Sequence, residues 1–142
     1  MKKLMNLKDN YEDALNIFNS LSKKERIFVA NDVFDDNPFV VYRKVLKEND
    51  EPVSFLELYD IPETKNAAYI VVATKEKYRK KGYIEKLVLE AEEYNKKNKI
   101  YEKLIWNMRK GNDISAKVAQ KLGYQFRNNS TLILEKSFQR EE

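Results

Sequence analysis

The sequence predicts an α/β fold of the α+β kind, a mixed sheet with helices in the order β-α-α-β-β-β-α-β-α-β-β. Three observations carry this. Three β-rich runs follow one another after Pro38 with turn-forming residues between them. The third run, AAYIVVA at 67–73, is apolar without alternation. From Gly82 onward the apolar period changes from that of a strand to that of a helix.

Residues 3–7 form a short first strand. Asn10 caps a helix that carries Ala14, Leu15, Phe18 and Leu21 on one face. Ser22 and Glu25 have capping-box spacing and head a second short helix with Ile27, Ala30, Val33 and Phe34, after which Pro38 breaks the pattern. The runs at 39–46, 53–59 and 67–74 are strands of an antiparallel meander, with turns at 48–52 and 60–66. The third strand lacks alternation because both its faces are covered, so it is central. Ile84, Leu87, Val88 and Ala91 then face the core from a helix that runs to about Tyr94, ended by the polar run NKKNK. A strand at 103–109, a helix at 113–122 and a hairpin of 124–127 with 131–138 around Asn128-Asn129 complete the chain. There is no internal repeat and no low-complexity linker, so one domain over residues 1–142 is expected.

With 42% hydrophobic residues the chain can bury a real core, and 35% charged residues describe a soluble protein. No apolar stretch approaches the ~20 residues of a membrane span, so no membrane partner is expected. The start MKKLMNLKDN lacks the apolar region of a secretion signal, which makes the cytoplasm the expected compartment. Histidine and cysteine are both absent. That excludes Ser-His-Asp and Cys-His nucleophile systems and any ordinary zinc site. Chemistry is left to carboxylates, lysine, tyrosine, backbone amides and water. The net charge of +4 and pI near 9.0 favour an anionic partner without choosing its kind.

One of only three glycines, Gly82, directly follows Arg79, Lys80 and Lys81, where the central apolar strand hands over to a helix. The first N–H groups of a helix have no intrahelical acceptor, and its dipole places positive potential there, which suits a phosphate. Gly82 admits the backbone close to an anion, and Lys75 and Lys77 add charge to the three cations. The same run also reads as a solvated helix start with a turn glycine.

The stretch YRKKGYI resembles the acyl-CoA pyrophosphate loop of the GNAT (Gcn5-related N-acetyltransferase) superfamily, R/Q-x-x-G-x-G/A, with Arg79, Gly82 and Ile84 at the three defined positions. Ile84 departs from the pattern, which asks for Gly or Ala there. The stretch NDISAKVAQKLGY is similar to the second half of GNAT domains, with Asn112, Ser115, Leu122, Gly123 and Tyr124 in place. The resemblance spans roughly residues 39–136 and implies that the central strands splay to admit acetyl-CoA. It implies that Val72 and Thr74 supply main-chain bonds to the pantetheine arm, and that Arg79, Lys80, Lys81, Gly82, Tyr83 and Ile84 hold the pyrophosphate. Asn112 then caps the second motif's helix and Ser115 faces the cofactor arm.

The activity so implied is transfer of an acetyl group to a primary amine by direct attack, with a backbone amide near Val72 steadying the oxyanion and no covalent enzyme intermediate. The positions where family members carry proton-transfer groups hold Ala68, Asn107 and Ala119 here. Proton transfer is left to water, with Glu57, ranked first as a water-linked base, or Tyr69 from the neighbouring strands, or Tyr124 nearby. Glu57 also reads as a surface strand residue. Asp32, Asp35 and Asp36, interleaved with Phe34 and Phe39, favour a cationic amine acceptor, small molecule or peptide, or else form a plain solvated turn. Ile84 and the empty slots also motivate a domain that binds acyl-CoA or a protein partner without turnover. Nucleic acid, with Lys75 to Lys81 and Lys96 to Lys99 as its footprint, is not the expected partner. Leu132, Ile133 and Leu134, apolar in a row, either pair across a homodimer interface or are covered within the chain.

Overall fold

The computed structural model describes residues 10–26, 38–60, 66–107, 113–127 and 133–138. Helices α1 (Tyr11–Asn19) and α2 (Lys23–Arg26) precede strands β1 (Val40–Glu48), β2 (Glu51–Tyr59) and β3 (Ala67–Thr74). Then come α3 (Tyr83–Asn98), β4 (Lys103–Asn107), α4 (Asp113–Lys121), β5 (Gln125–Phe126) and β6 (Ile133–Ser137). The expected strand at 3–7, the second-helix residues Ile27, Ala30, Val33 and Phe34, and the Asn128-Asn129 turn lie outside the described residues.

The six described strands make one sheet in the order β1-β2-β3-β4-β6-β5, with β3–β4 its single parallel pair. The apolar third run is central, as its lack of alternation predicts. Successive side chains point to opposite faces, so Leu56, Leu58 and Ile70 join Leu87, Val88 and Leu104 in the principal core under α3 and α4. Phe55 and Ala73 point the other way and pack with Ala14, Ile17, Phe18 and Leu21 of the α1 region. Each such large apolar side chain contributes about 1.5–3 kcal/mol on burial. Strand β6 lies between β4 and β5, and its Leu134 is fully buried in the principal core, so part of the apolar run at 132–134 is covered within the chain.

Three local expectations change. Asn10 stands at the N-cap of α1 but makes no cap bond; its Nδ2 donates to the Arg43 carbonyl at 3.0 Å and ties the helix to β1 instead. The β1–β2 turn is tighter than the five-residue gap suggests. Asn49 and Asp50 alone make it, at φ 51° and 67°, left-handed values that these two residue types tolerate and a two-residue hairpin requires. Helix α3 continues past Tyr94 to Asn98 because Asn95 is buried and bonds the main chain of Tyr101 twice, at 2.9 and 2.7 Å. The Ser22–Glu25 capping box is present as read, with reciprocal bonds of 2.9 and 3.2 Å.

Candidate active site

Strands β3 and β4 pair over only three residue pairs, from Ala67–Lys103 to Tyr69–Ile105, although β3 runs on to Thr74 and β4 to Asn107. Beyond Tyr69 they part. The Lys75 N–H bonds the Val53 carbonyl at 2.9 Å, and in an antiparallel pair the bonded residues alternate. The odd-numbered residues of β3 therefore bond β2, and the main-chain groups of Ile70, Val72 and Thr74 face the gap.

The gap is part of a cleft of about 470 Å³. Ile70, Val72, Trp106 and Val118 line it from the principal-core side, and Leu21, Glu25, Val71 and Ala73 from the α1 side, so it cuts through the sheet from face to face. At its mouth stands the loop before α3. Lys80 and Gly82 are left-handed, at φ 65° and 82°, and Gly82 is the N-cap of α3 without any side chain capping the helix. A Cβ on Gly82 would meet nothing within 4 Å, so glycine is required by its φ, with open space left beside it. A 16-residue helix thus presents its first amides and positive dipole end at the cleft.

Of the residues singled out in sequence, Val72, Thr74, Arg79, Lys80, Gly82, Tyr83, Ile84 and Ser115 line this one cleft. Lys81 stands beside it, and Asn112 lies outside the described residues, as do Phe34, Asp32, Asp35 and Asp36. Ile84 packs against the principal core as it lines the cleft, so part of its bulk goes into the cleft wall. Ala68 and Ala119 are buried in that core, whereas Asn107 is exposed at the cleft.

The structure places Glu57 and Tyr124 off the cleft lining. Glu57 is no surface residue: it is fully buried, with Oε2 2.6 Å from Arg43 Nε and Oε1 accepting from the Tyr59 hydroxyl at 3.3 Å, while Tyr11 lies over the guanidinium. A burial this deep needs its partner, and that partner occupies the carboxylate. Tyr124 is also buried and gives its hydroxyl to Glu92 Oε2 at 2.9 Å; Lys136 Nζ reaches Glu92 Oε1 at 3.0 Å. Burial first, and the Glu92 carboxylate second, push the Tyr124 hydroxyl well above the ordinary tyrosine range. Neither candidate lines the cleft.

Charge at the mouth is shared out. Arg79 donates from Nε to the Thr74 carbonyl at 3.0 Å and pairs through Nη1 with Glu25 Oε2. The Ser22 N–H, and then Arg79, hold the Glu25 carboxyl below its usual range. Leu21, Glu25 and Trp106 are cleft residues that the sequence did not mark. Glu25 is visible there only as half of a capping box, and nothing in a strand pattern says that its lone tryptophan will face a gap.

No curated protein matches the chain. Among solved structures, the GNAT domain of S. lividans PAT superposes with a TM-score of 0.75 at 12% identity, over 92% of this chain and 86% of that one. The ribosomal-protein-S18-alanine N-acetyltransferase of Escherichia coli does so at 0.70 and 14%, over 99% and 94%. The PaiA N-acetyltransferase of Thermoplasma acidophilum, in complex with coenzyme A, does so at 0.57 and 24%; there the match covers 65% of this chain and 57% of that one. These likenesses agree with the fold, and the model of the acetyltransferase (GNAT) family matches residues 6–124, so the chain belongs to that family.

Proposed function

We propose that the protein is an acetyl-CoA-dependent N-acetyltransferase that carries an acetyl group to a primary amine by direct attack. The observation that carries this is the parting of β3 from β4 after Tyr69, with the Gly82 loop and the uncapped start of α3 at the mouth of the gap. When bound, acetyl-CoA supplies the activated acyl carbonyl and a thiolate leaving group. The outward main-chain groups of Val72 and Thr74 would bond the pantetheine amides as a neighbouring strand would, with the Thr74 carbonyl shared with Arg79 Nε. The amides from Gly82 to Ile84, with Lys80, Lys81 and Arg79, hold the pyrophosphate, and Ser115 faces the arm from α4.

In this reading catalysis rests on position and a fixed N–H dipole near Val72 that meets the developing oxyanion. The acceptor amine arrives neutral and passes its proton to water. It enters on the α1 side, where Glu25 lines the cleft, and the acidic residues Asp32, Asp35 and Asp36 of the sequence favour a small-molecule or peptide amine that is cationic in solution and gives up its proton before attack. The reading places the enzyme in the cytoplasm, and a homodimer through the β5–β6 end of the sheet is compatible with it. Calorimetric titration of acetyl-CoA, followed by an acceptor screen, tests the proposal. Micromolar binding lost in Gly82→Asp and Arg79→Ala, with turnover on an amine, supports it; absence of binding by the folded protein overturns it.

A second reading, acyl-CoA binding without turnover, is favoured by the removal of both Glu57 and Tyr124 from the cleft. Cofactor binding with no transfer to any amine would select it.

A further inference from the structure

The β1–β2 hairpin delivers two carboxylates to the cofactor loop. Glu48 and Glu51 are directly opposite one another across the Asn49-Asp50 turn, so their side chains share a face. Like charges in that relation repel and weaken a hairpin, yet here each has partners from the segment that leads from β3 into the first residue of α3. Glu48 accepts from the Tyr83 hydroxyl through Oε2 and faces Lys81 Nζ, 3.9 Å from its Oε1. Glu51 accepts from the Tyr78 hydroxyl at 2.9 Å and from Lys75 Nζ at 3.3 Å. The ammonium groups of Lys77 and Lys81 lie 5.4 and 5.2 Å from the centroid of the Tyr78 ring. A tyrosine and a lysine from the loop answer each glutamate.

We propose that Glu48 and Glu51 are positioning residues for cofactor binding, a two-pronged clasp that holds Tyr78 and Tyr83 and thereby sets the left-handed course of Lys80 and Gly82 between them. The inference rests on the reading of that loop as the pyrophosphate site. Neither glutamate lines the cleft. Their effect is to fix, before binding, a segment that would otherwise lose its freedom on binding. Tyr78 is buried at one end of the segment and Tyr83 opens α3 at the other, so the two prongs grip both ends. The two-residue turn, which sets Glu48 opposite Glu51, is what keeps the prongs in step.

The test exploits a conflict of sign. Two negative charges near a pyrophosphate site disfavour it by simple electrostatics, so removing them should tighten binding. If the clasp sets the loop, removal loosens binding instead. The dissociation constant of CoA is measured by calorimetry for the wild type, for Glu48→Ala/Glu51→Ala, and for Tyr78→Phe/Tyr83→Phe, which keeps the charges and removes the hydroxyls. The clasp predicts a rise of about tenfold in both double variants, a matching rise in the KM for acetyl-CoA, and little change in the KM of the acceptor or in kcat. CoA binding by the glutamate variant equal to or tighter than wild type overturns the clasp alone. If the glutamate variant does not fold, the phenylalanine variant decides, and unchanged binding by it overturns the clasp. A wild type that binds no CoA overturns the loop assignment and the clasp with it.

Discussion

Arg43 and Glu57 face each other across β1 and β2, Nε to Oε2 at 2.6 Å, with both side chains fully buried. Such a pair adds little over an apolar one, because desolvation offsets most of its attraction, but half of it is costly. Arg43→Met alone should therefore destabilise the fold by about 3–5 kcal/mol, whereas Arg43→Met/Glu57→Leu should recover most of the loss. Urea unfolding of the two variants checks this. Equal loss in both would mean that the pair is not a closed unit.

Tyr124 gives a prediction of the opposite kind. Its hydroxyl completes a group in which Lys136 also bonds Glu92 and the Leu122 carbonyl, at 2.9 Å. Tyr124→Phe leaves Glu92 paired, so stability should fall by about 1 kcal/mol, with kcat for acetyl transfer nearly unchanged. A hundredfold fall in kcat in a folded variant would restore the hydroxyl to the chemistry.

Two glycines separate folding from binding. Gly123 has φ 97° and ends α4, with the Gly123 N–H on the Gln120 carbonyl at 3.0 Å and the Tyr124 N–H on that of Ala119 at 2.9 Å. Gly82 is equally left-handed but stands at the cleft. Alanine at either position should cost about 1–2 kcal/mol in melting experiments, and only Gly82→Ala should weaken acetyl-CoA binding, by about tenfold or more.

Stability should fall at both ends of the pH scale for identifiable reasons. The Glu25 carboxyl is held low by the Ser22 N–H and Arg79, and that of Glu51 by the Tyr78 hydroxyl and then Lys75. Their contribution is present above the ordinary carboxylate value of 4.5 and is lost as the pH falls below it. Burial, followed by the nearby Glu90 and Tyr94, pushes the Tyr42 hydroxyl from 10.0 to about 12. Its contribution is complete below pH 10.0 and is lost as the pH rises to about 12. Thermal melts across pH, with tyrosinate absorbance followed in parallel, should show both limbs, and Tyr42→Phe should flatten the alkaline one.

The loop before α3 was legible because its signals are local. A glycine after three cations, placed between an apolar run and a helical period, can be read without knowing what lies across the sheet. The Gly123 stop and the capping box of Ser22 and Glu25 were legible for the same reason. Glu57 and Tyr124 were not, since what decides them is the partner: Arg43 is 14 residues from Glu57, and Glu92 is 32 from Tyr124. Nothing in a β-strand pattern says whether a glutamate will meet water or an arginine. The first helix-capping expectation was not met: Asn10 turns its Nδ2 to the Arg43 carbonyl 33 residues away, and its side chain makes no cap bond to α1.

The three-pair contact between β3 and β4 also makes this sheet two half-sheets joined by a short seam. A ligand with amides of its own, lying along Val72 and Thr74, would serve as the missing rungs of that ladder. Occupancy would then be felt as mechanical closure of the fold. The melting temperature should climb with the logarithm of ligand concentration once the site is filled, and amide exchange should slow first in the strands on either side of the seam.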